Sequence, residues 1–284
     1  MKFSFSLLSL LAVSAICAAS GYQTKTSVTI SRARLDGQPL TVTQTGTGLI
    51  TNSRTYSNVD CSLAADATAS FGILRVGSSA AAGHIGRSDT DSPATPVWGT
   101  GLASFSDTVR IDSAGHAGET GYVTYHYDLD GQLRATGQSG YGAANDPDDV
   151  FGSSATVILA HHGGFNNDAV YGNGTTHDEG VIGLHTETIG FTFGESFALG
   201  LQLSAVAQVH LFSNQTSSCD FEHTLLWGGF DSLTDSSGQA TDYTLTSASG
   251  HDWSHASVEA VPEPASIAAL AVGGLGLLRR RRRA

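Results

Sequence analysis

The chain has 284 residues, of which 40% are hydrophobic and 14% are charged, and its formal net charge is −12 at pH 7. Six of the 14 basic residues, Lys2 and the arginines at 279–283, and one of the 26 acidic residues, Glu263, lie near the two ends. Residues 21–260 therefore carry 8 basic and 25 acidic side chains, a formal charge of −17. Such a surface repels nucleic acid and anionic membrane, which excludes binding through a basic groove.

Residues 1–20, MKFSFSLLSLLAVSAICAAS, form the first predicted element. A lysine precedes a run of Leu, Val, Ile and Ala, and small residues surround Ala19 and Ser20. This three-part pattern is typical of a secretory signal peptide. We therefore predict a signal helix over residues 1–20, export by Sec-type machinery, and cleavage by signal peptidase just after Ala19 or Ser20.

Residues 21–258 are predicted to form one β-rich body, because no composition shift, proline-rich linker or fixed repeat divides them. Asp36-Gly37 stands between the β-prone runs 27–30 and 40–43, and Asp130-Gly131 stands between 122–127 and 132–135. An Asp-Gly pair suits the positive φ angles of a tight hairpin turn. Two hairpins are therefore expected.

The clearest alternation in the body runs from Phe197 to Leu211, where every second residue is apolar. A period of two predicts a strand with one buried face, and a length of 15 residues predicts a bend or bulge within it. Further strands are predicted at Ser70–Val76, Asp107–Ile111, Ala155–Ala160, Gly190–Phe193, Thr224–Trp227 and Tyr243–Ser247. Many short strands separated by turn residues favour an all-β fold, an antiparallel two-sheet sandwich of the jelly-roll kind.

Cys61 and Cys219 are the two cysteines of the body. In the oxidising compartment that export would provide, such a pair predicts a disulfide. Two separate thiols are the alternative, because the sequence does not supply the distance between the two Cα atoms.

Histidines and carboxylates are concentrated between residues 161 and 187, where an enzyme or a metal site would be sought. The group comprises His161, His162, His177, Asp178, Glu179, His185 and Glu187. These ligands suit zinc, but their spacing matches no zinc motif, and adjacent residues of a strand point to opposite faces. A solvated polar loop is the simpler interpretation, so we predict no metal and no cofactor. A metal-dependent hydrolase is the least favoured alternative.

Tyr125 and Tyr127 share one face of a predicted strand, as a platform for stacking on a sugar ring would require. Core packing is the alternative for both residues. The body contains no Gly-x-Ser-x-Gly elbow from which a hydrolase triad could begin. A non-enzymatic protein is therefore expected, with a carbohydrate-binding module as the alternative.

The chain ends in VPEPASIAALAVGGLGLLRRRRRA, residues 261–284. As a helix, the 14 uncharged residues 265–278 would rise about 21 Å, which is short for a hydrocarbon core of roughly 30 Å. The stretch ends in a basic cluster that would act as a membrane stop on the cytoplasmic side: Arg279, Arg280, Arg281, Arg282 and Arg283. The short transmembrane helix indicates a temporary hold.

Pro262-Glu263-Pro264, the short span and the arginine cluster, in this order, resemble the PEP-CTERM sorting signal of exported bacterial proteins, here assigned to residues 259–284. The resemblance implies that an exosortase-type membrane peptidase recognises the triplet, cuts near it and passes the body to the cell surface or the extracellular matrix. The body resembles more loosely the β-rich exported domains that often precede this signal, through residues 191–197, 219–221, 227–230, 243–247 and 249–250. We therefore expect a non-enzymatic surface or matrix protein associated with extracellular polysaccharide or the envelope.

Overall fold

The computed structural model describes residues 21–31, 39–83, 96–137, 153–162, 164–172, 174–210 and 214–257. These residues form 15 β-strands and no helix, so they include no helix that could cross a membrane. The strands are β1 Gln23–Ser31, β2 Leu40–Gly46, β3 Ile50–Ser57, β4 Cys61–Ser70, β5 Ile73–Ala82, β6 Pro96–Asp112, β7 Thr120–Leu129, β8 Gln132–Thr136, β9 Ser154–His161, β10 Gly164–Tyr171, β11 Thr176–Asp178, β12 Gly183–Thr192, β13 Ser196–His210, β14 Gln215–Asp235 and β15 Thr244–Ser247.

The strands form two antiparallel sheets. Sheet A has the order β11-β10-β9-β13-β6-β1-β2, and β15 pairs with the end of β6 beyond β1. Sheet B has the order β12-β7-β14-β5-β4-β3, and β8 pairs with β14 beyond β7. The prediction of an all-β fold with two antiparallel sheets is confirmed. With eight and seven described strands, these sheets are larger than those of an eight-stranded jelly roll.

One hydrophobic core lies between the two sheets. Every second residue of β6 is buried and the residues between them are half-buried or exposed, so one side of this strand faces the interior. Phe105 and Ile111 of that side belong to the same buried cluster as Leu63 and Val76 of sheet B. The alternating sequence thus supplies each sheet with one apolar face, and the two faces pack together.

The hairpin predicted around Asp36-Gly37 is confirmed in its strands. β1 pairs with β2 so that Ser27 lies opposite Thr43 and Ile30 opposite Leu40. The Asp-Gly pair itself lies outside the described residues.

The hairpin predicted around Asp130-Gly131 is wrong. β7 and β8 do not pair with each other, because both pair with β14, end to end along the same side. Gly131 has no left-handed φ angle, and its role is steric: a Cβ atom there would overlap the Phe221 ring and lie 2.7 Å from the Asp220 carbonyl oxygen. The Asp-Gly pair joins two collinear strands where β14 approaches closely.

The long strand predicted from residue 197 is confirmed as β13, although Leu211 lies outside the described residues. A bend or bulge was expected within it; a bulge is contradicted, because β13 pairs with β6 over all 15 residues without a register shift. The register shifts occur on β14 instead. The strand predicted at Ser70–Val76 is interrupted at Phe71-Gly72, where β4 ends and β5 begins.

The two predicted end segments, residues 1–20 and 259–284, lie outside the described residues. The signal helix, the short transmembrane helix and the domain boundaries therefore remain predictions.

Candidate functional sites

Glu187 is the centre of a buried polar cluster, the Glu187 cluster, which joins the two sheets. Glu187 on β12 lies opposite Tyr125 on β7, and it accepts hydrogen bonds of 2.8 Å from the Tyr125 and Tyr127 hydroxyl groups. His161, at the end of β9 in sheet A, places its Nδ1 atom 2.8 Å from Glu187 Oε1. The side chains of His161 and Glu187 are only 14% and 16% exposed. The cluster is thus a contact across the edge of the core.

The pKa values in the cluster follow from burial and from these hydrogen bonds. Burial by itself raises the pKa of Glu187, but the hydrogen bonds from His161, Tyr127 and Tyr125 outweigh it and hold the pKa below its ordinary value. Burial, together with the neighbouring carboxylate, raises the pKa of both tyrosines far above the ordinary range. Glu187 is therefore an ionised acceptor, and both tyrosines remain neutral donors.

The proposed stacking platform at Tyr125 and Tyr127 is wrong, although the two rings do share a strand face. Tyr125 is 0% exposed and stacks on Trp227, whereas Tyr127 is 2% exposed and stacks on His185. Neither ring offers a face to a sugar. The apolar neighbours Val123 and Leu129 on the same side of β7 are the sequence signal that this face is buried.

The candidate metal ligands between residues 161 and 187 are divided among separate contacts. His161 bonds Glu187, His177 lies 3.1 Å from exposed Glu179, and His185 Nε2 lies 2.8 Å from the Val181 carbonyl oxygen. The other two candidates, His162 and Asp178, are exposed. Within the described ranges, no three His, Cys, Asp or Glu side chains form a group that could hold a metal ion.

The predicted disulfide is also wrong, because Cys61 and Cys219 are two separate buried thiols. Cys61 lies on β4 and Cys219 on β14, with β5 between them, and their partners on β5 are Ala82 and Ser78. Two strand spacings and four residues of offset separate the Cα atoms by roughly 16 Å, far beyond disulfide reach. Burial raises the pKa of the Cys219 thiol to about 12, which makes this cysteine unreactive.

The C-terminal part of the body, residues 243–257, forms a second cluster that we call the clasp. It is attached to β6 through Asp107, whose side chain is only 1% exposed. The Asp107 carboxylate accepts a 2.7 Å bond from the Trp253 indole N–H, a 2.5 Å bond from the Ser249 hydroxyl and a bond from the Thr108 backbone N–H. Sequence analysis missed this residue, because a lone Asp in a strand carries no signal of its partners 142 and 146 positions away.

Aromatic packing completes the clasp. Trp253 stacks on Phe105 at 5.1 Å and meets Trp227 edge to face at 5.2 Å, and both tryptophans are fully buried. The Trp227 indole N–H donates a 2.9 Å bond to the Trp253 carbonyl oxygen. Gly229 has a φ of 99°, and a Cβ atom there would lie 3.0 Å from the Ser254 carbonyl oxygen, so the glycine lets the clasp lie directly on β14.

The surface of the clasp contains a shallow polar depression lined by residues that include Tyr243, Ser247, His251 and Asp252. Burial lowers the pKa of His251, so this imidazole is neutral at pH 7. The depression brings a histidine and a carboxylate near each other at an open surface.

The outer faces of the two sheets differ in charge. In sheet A, outward side chains on β10, β9, β13, β6 and β1 include Tyr171, Asn167, Ile158, Thr156, Gln208, Val206, Ser204, Trp98, Thr100, Leu102, Ser27, Thr29 and Lys25, of which only Lys25 is charged. The outer face of sheet B carries Asp66, Asp220 and Glu222 close enough to raise the pKa of Asp66. Lys25 is thus the one charged side chain among those named, whereas the ion pair of Arg110 and Asp112 lies farther along the same side of β6.

Comparison with known proteins identifies one segment. The fold defines an all-β body of two antiparallel sheets, and residues 260–283 match the family described as "PEP-CTERM protein-sorting motif". No curated protein matches the chain. The chain therefore carries a PEP-CTERM sorting motif after a β-rich body, as expected, and the match includes Pro262-Glu263-Pro264 and the arginines 279–283. This motif supports a protein that is sorted by an exosortase, exported and transiently anchored in the membrane.

Proposed function

We propose that this protein is a non-enzymatic component of the cell surface or extracellular matrix, released there by exosortase-type cleavage near Pro262-Glu263-Pro264. The observation that carries the proposal is the sorting motif at residues 260–283. Sec-type machinery and signal peptidase would act first, at the predicted signal peptide of residues 1–20.

The body supports a structural role, because its largely buried polar groups hold the fold together. Glu187 and His161 join the two sheets, and Asp107 attaches the clasp to β6. These groups are engaged with one another in the interior, as is typical of buried polar residues that stabilise a core.

The outer face of sheet A supports an association with a neutral extracellular polysaccharide. Hydroxyl and amide side chains share this face with Leu102, Val206 and Ile158. Half-buried Trp98 and Tyr171 lie in the same row across it, on either side of Ser154 and the buried Gln208. Aromatic rings and neutral hydrogen-bonding groups together suit sugar rings. If the body is a carbohydrate-binding module, its sugar site would therefore lie on this face and not at Tyr125 and Tyr127.

Replacement of Pro262-Glu263-Pro264 by three alanines tests the sorting step. We expect a full-length precursor that stays in the membrane fraction, detected by immunoblotting of cell fractions and medium. The matched control is Glu259→Ala, which changes a nearby glutamate outside both the triplet and the matched residues 260–283, and which should be processed as the wild type. Release of the triple-alanine variant at the normal rate would refute the proposal.

A polysaccharide pull-down tests the role of sheet A. The combined variant Trp98→Ala and Tyr171→Ala should lose retention on the exopolysaccharide of the producing cells. Tyr122→Ala, an equivalent change of a 43% exposed aromatic residue on sheet B, should retain it. Equal retention of both variants would remove the sugar-binding role.

A further inference from the structure

β12 is the longest edge strand among the described residues. It pairs with β7 along one side, and no described strand pairs with its other side. Phe193, just after β12, shows which backbone groups face β7: its N–H donates to the Glu119 carbonyl oxygen, and its carbonyl oxygen accepts from the Gly118 N–H, both at 2.9 Å. Backbone groups of successive strand residues alternate in direction. Four residues of β12 therefore direct their N–H and C=O groups away from β7: Leu184, Thr186, Thr188 and Gly190.

The open edge of β12 carries none of the features that usually prevent pairing with another chain. Proteins protect such edges with lysine, proline, bulges or very short strands. The ten residues of β12 contain no lysine and no proline, and their pairing with β7 has no register shift. The opposite edge strand of sheet B, β3, differs because Asn52 on β3 donates a 2.9 Å bond to the Val42 carbonyl oxygen on β2. Of these two edges, β12 is thus the one that can accept a further strand.

The outer side chains of β12 are complementary to a second copy of the same strand. In an antiparallel pairing with its two-fold axis at residue 187, all four open residues find partners. Leu184, which is 69% exposed, then lies opposite Gly190 of the second copy. A Cβ atom at Gly190 would lie 3.5 Å from the Tyr122 ring, which is 43% exposed. The leucine would therefore fill the space above the glycine and cover part of the tyrosine ring.

Hydroxyl groups and charge favour the same pairing. Thr188 already shares a 2.8 Å hydrogen bond with Thr124 across β12 and β7, and Thr186 opposite Thr188 of the second copy would repeat this cross-strand pair. The outer side chains of β12 are uncharged, which lets two bodies of formal charge −17 approach each other there. Glu187 lies opposite its own copy, but its carboxylate is bound by the two tyrosines of β7 and so points away from the second copy.

We propose that two copies of this protein form a two-fold dimer through antiparallel pairing of their β12 strands. The two B sheets then become one continuous sheet, as in other cases of strand addition at a free edge. This inference goes beyond the proposed function and does not depend on the sorting step. The outer face of sheet A takes no part in the contact, so each dimer presents that face twice.

Disulfide crosslinking between two tagged copies of the full chain tests the dimer in the producing cells. One copy carries Thr186→Cys and the other Thr188→Cys, and both carry Cys17→Ser; Cys61 and Cys219 are buried. In the proposed register these two positions face each other with Cα atoms about 5.5 Å apart, within disulfide reach. Each position is about 8 Å from itself in the second copy, which is beyond that reach.

After mild oxidation with copper phenanthroline, we expect several-fold more crosslinked dimer from the mixed copies than from either variant alone, measured by non-reducing immunoblotting. Adding Leu184→Lys to both copies should reduce the mixed crosslink several-fold. The matched control is Val59→Lys, because Val59 is also an exposed apolar residue but lies in the turn between β3 and β4.

Absence of a crosslink in the mixed cells would overturn the dimer. Crosslinking of either variant with itself at the level of the mixed copies would overturn the register and the contact between Leu184 and Gly190. An equal effect of Leu184→Lys and Val59→Lys would show that β12 is not the contact.

Discussion

Asp66 is the residue whose ionisation in the folded protein differs most clearly from that of an ordinary carboxyl group. Its side chain lies on the outer face of sheet B, against Gly77. Partial burial, Glu222 and Asp220 raise its pKa from 3.8 to about 6. Between these two values the folded state binds more protons than the unfolded state, so the contribution to stability is complete below pH 3.8 and is lost as the pH rises through 6.

Asp66→Asn should therefore raise the melting temperature at pH 7 and flatten its dependence on pH between about 4 and 6. The reason is that the uncharged amide avoids both the desolvation and the repulsion that the carboxylate experiences. Thermal unfolding followed by circular dichroism across this pH range measures the effect. Asp220→Asn, which removes one repelling charge, should shift the transition to lower pH. A lower melting temperature for Asp66→Asn at pH 7 would contradict the argument.

Glu187 has the opposite dependence on pH, because its folded pKa is lowered from 4.5. Its stabilising contribution is present above pH 4.5 and is lost as the pH falls through the lowered folded value. Glu187→Gln should cost about 2 kcal/mol at pH 7, since hydrogen bonds to a charged acceptor are replaced by weaker ones, and less in acid. Urea unfolding of both proteins at pH 7, and again at a pH below the lowered pKa of Glu187, measures this difference in the free energy of unfolding.

The matched control for Glu187 is Glu179→Gln, because Glu179 also pairs with a histidine but lies at the surface. Solvent weakens an exposed pair, so its loss should change the free energy of unfolding much less. Equal effects of the two substitutions at pH 7 would show that the link between the sheets adds nothing beyond a surface contact.

At the scale of elements, alternation predicted those strands that have one clearly apolar side. β13 is of this kind, whereas the pair β1–β2 was predicted from the Asp-Gly turn between its strands. Pairing partners were harder to predict. β7 and β8 follow each other closely in the sequence, but both pair with β14, which lies about 90 residues later. The same Asp-Gly pair can form a hairpin turn or can lie where another strand packs closely against the backbone. Only the neighbouring residues in the folded structure distinguish the two cases.

Gly131→Ala tests this interpretation of the Asp-Gly pair. The added methyl group would overlap the Phe221 ring, and such overpacking costs about 1–3 kcal/mol. In a Phe221→Leu background the cost should fall, which a double-mutant cycle of urea unfolding energies would detect. If Gly131 were instead required by a turn conformation, the alanine would cost the same in both backgrounds.

Long sequence separation also limited the prediction of the candidate sites. The side chains of Tyr125 and Tyr127 were correctly placed on one strand face, but Glu187, which accepts hydrogen bonds from both hydroxyl groups, is 62 and 60 residues away. Asp107 and Trp253 are 146 positions apart and meet only because the clasp folds back on β6. The sorting motif could be predicted completely, because its recognition depends on contiguous residues rather than on the fold.

At the scale of the whole molecule, the two sheets share one core, to which the clasp contributes Trp253. Trp227 and Trp253 report on this core because both are fully buried in contact with each other. Sheet structure and tryptophan environment should therefore be lost together.

We expect the described body to unfold in one cooperative transition, with the same midpoint by far-ultraviolet circular dichroism and by tryptophan fluorescence. A reducing agent should leave this midpoint unchanged, because Cys61 and Cys219 lie too far apart to be linked. The variant Trp98→Phe, which removes the one tryptophan on an outer face, separates the core signal from the surface signal. Two transitions would indicate two independent domains, and a drop in midpoint on reduction would indicate that the cysteines pair after all.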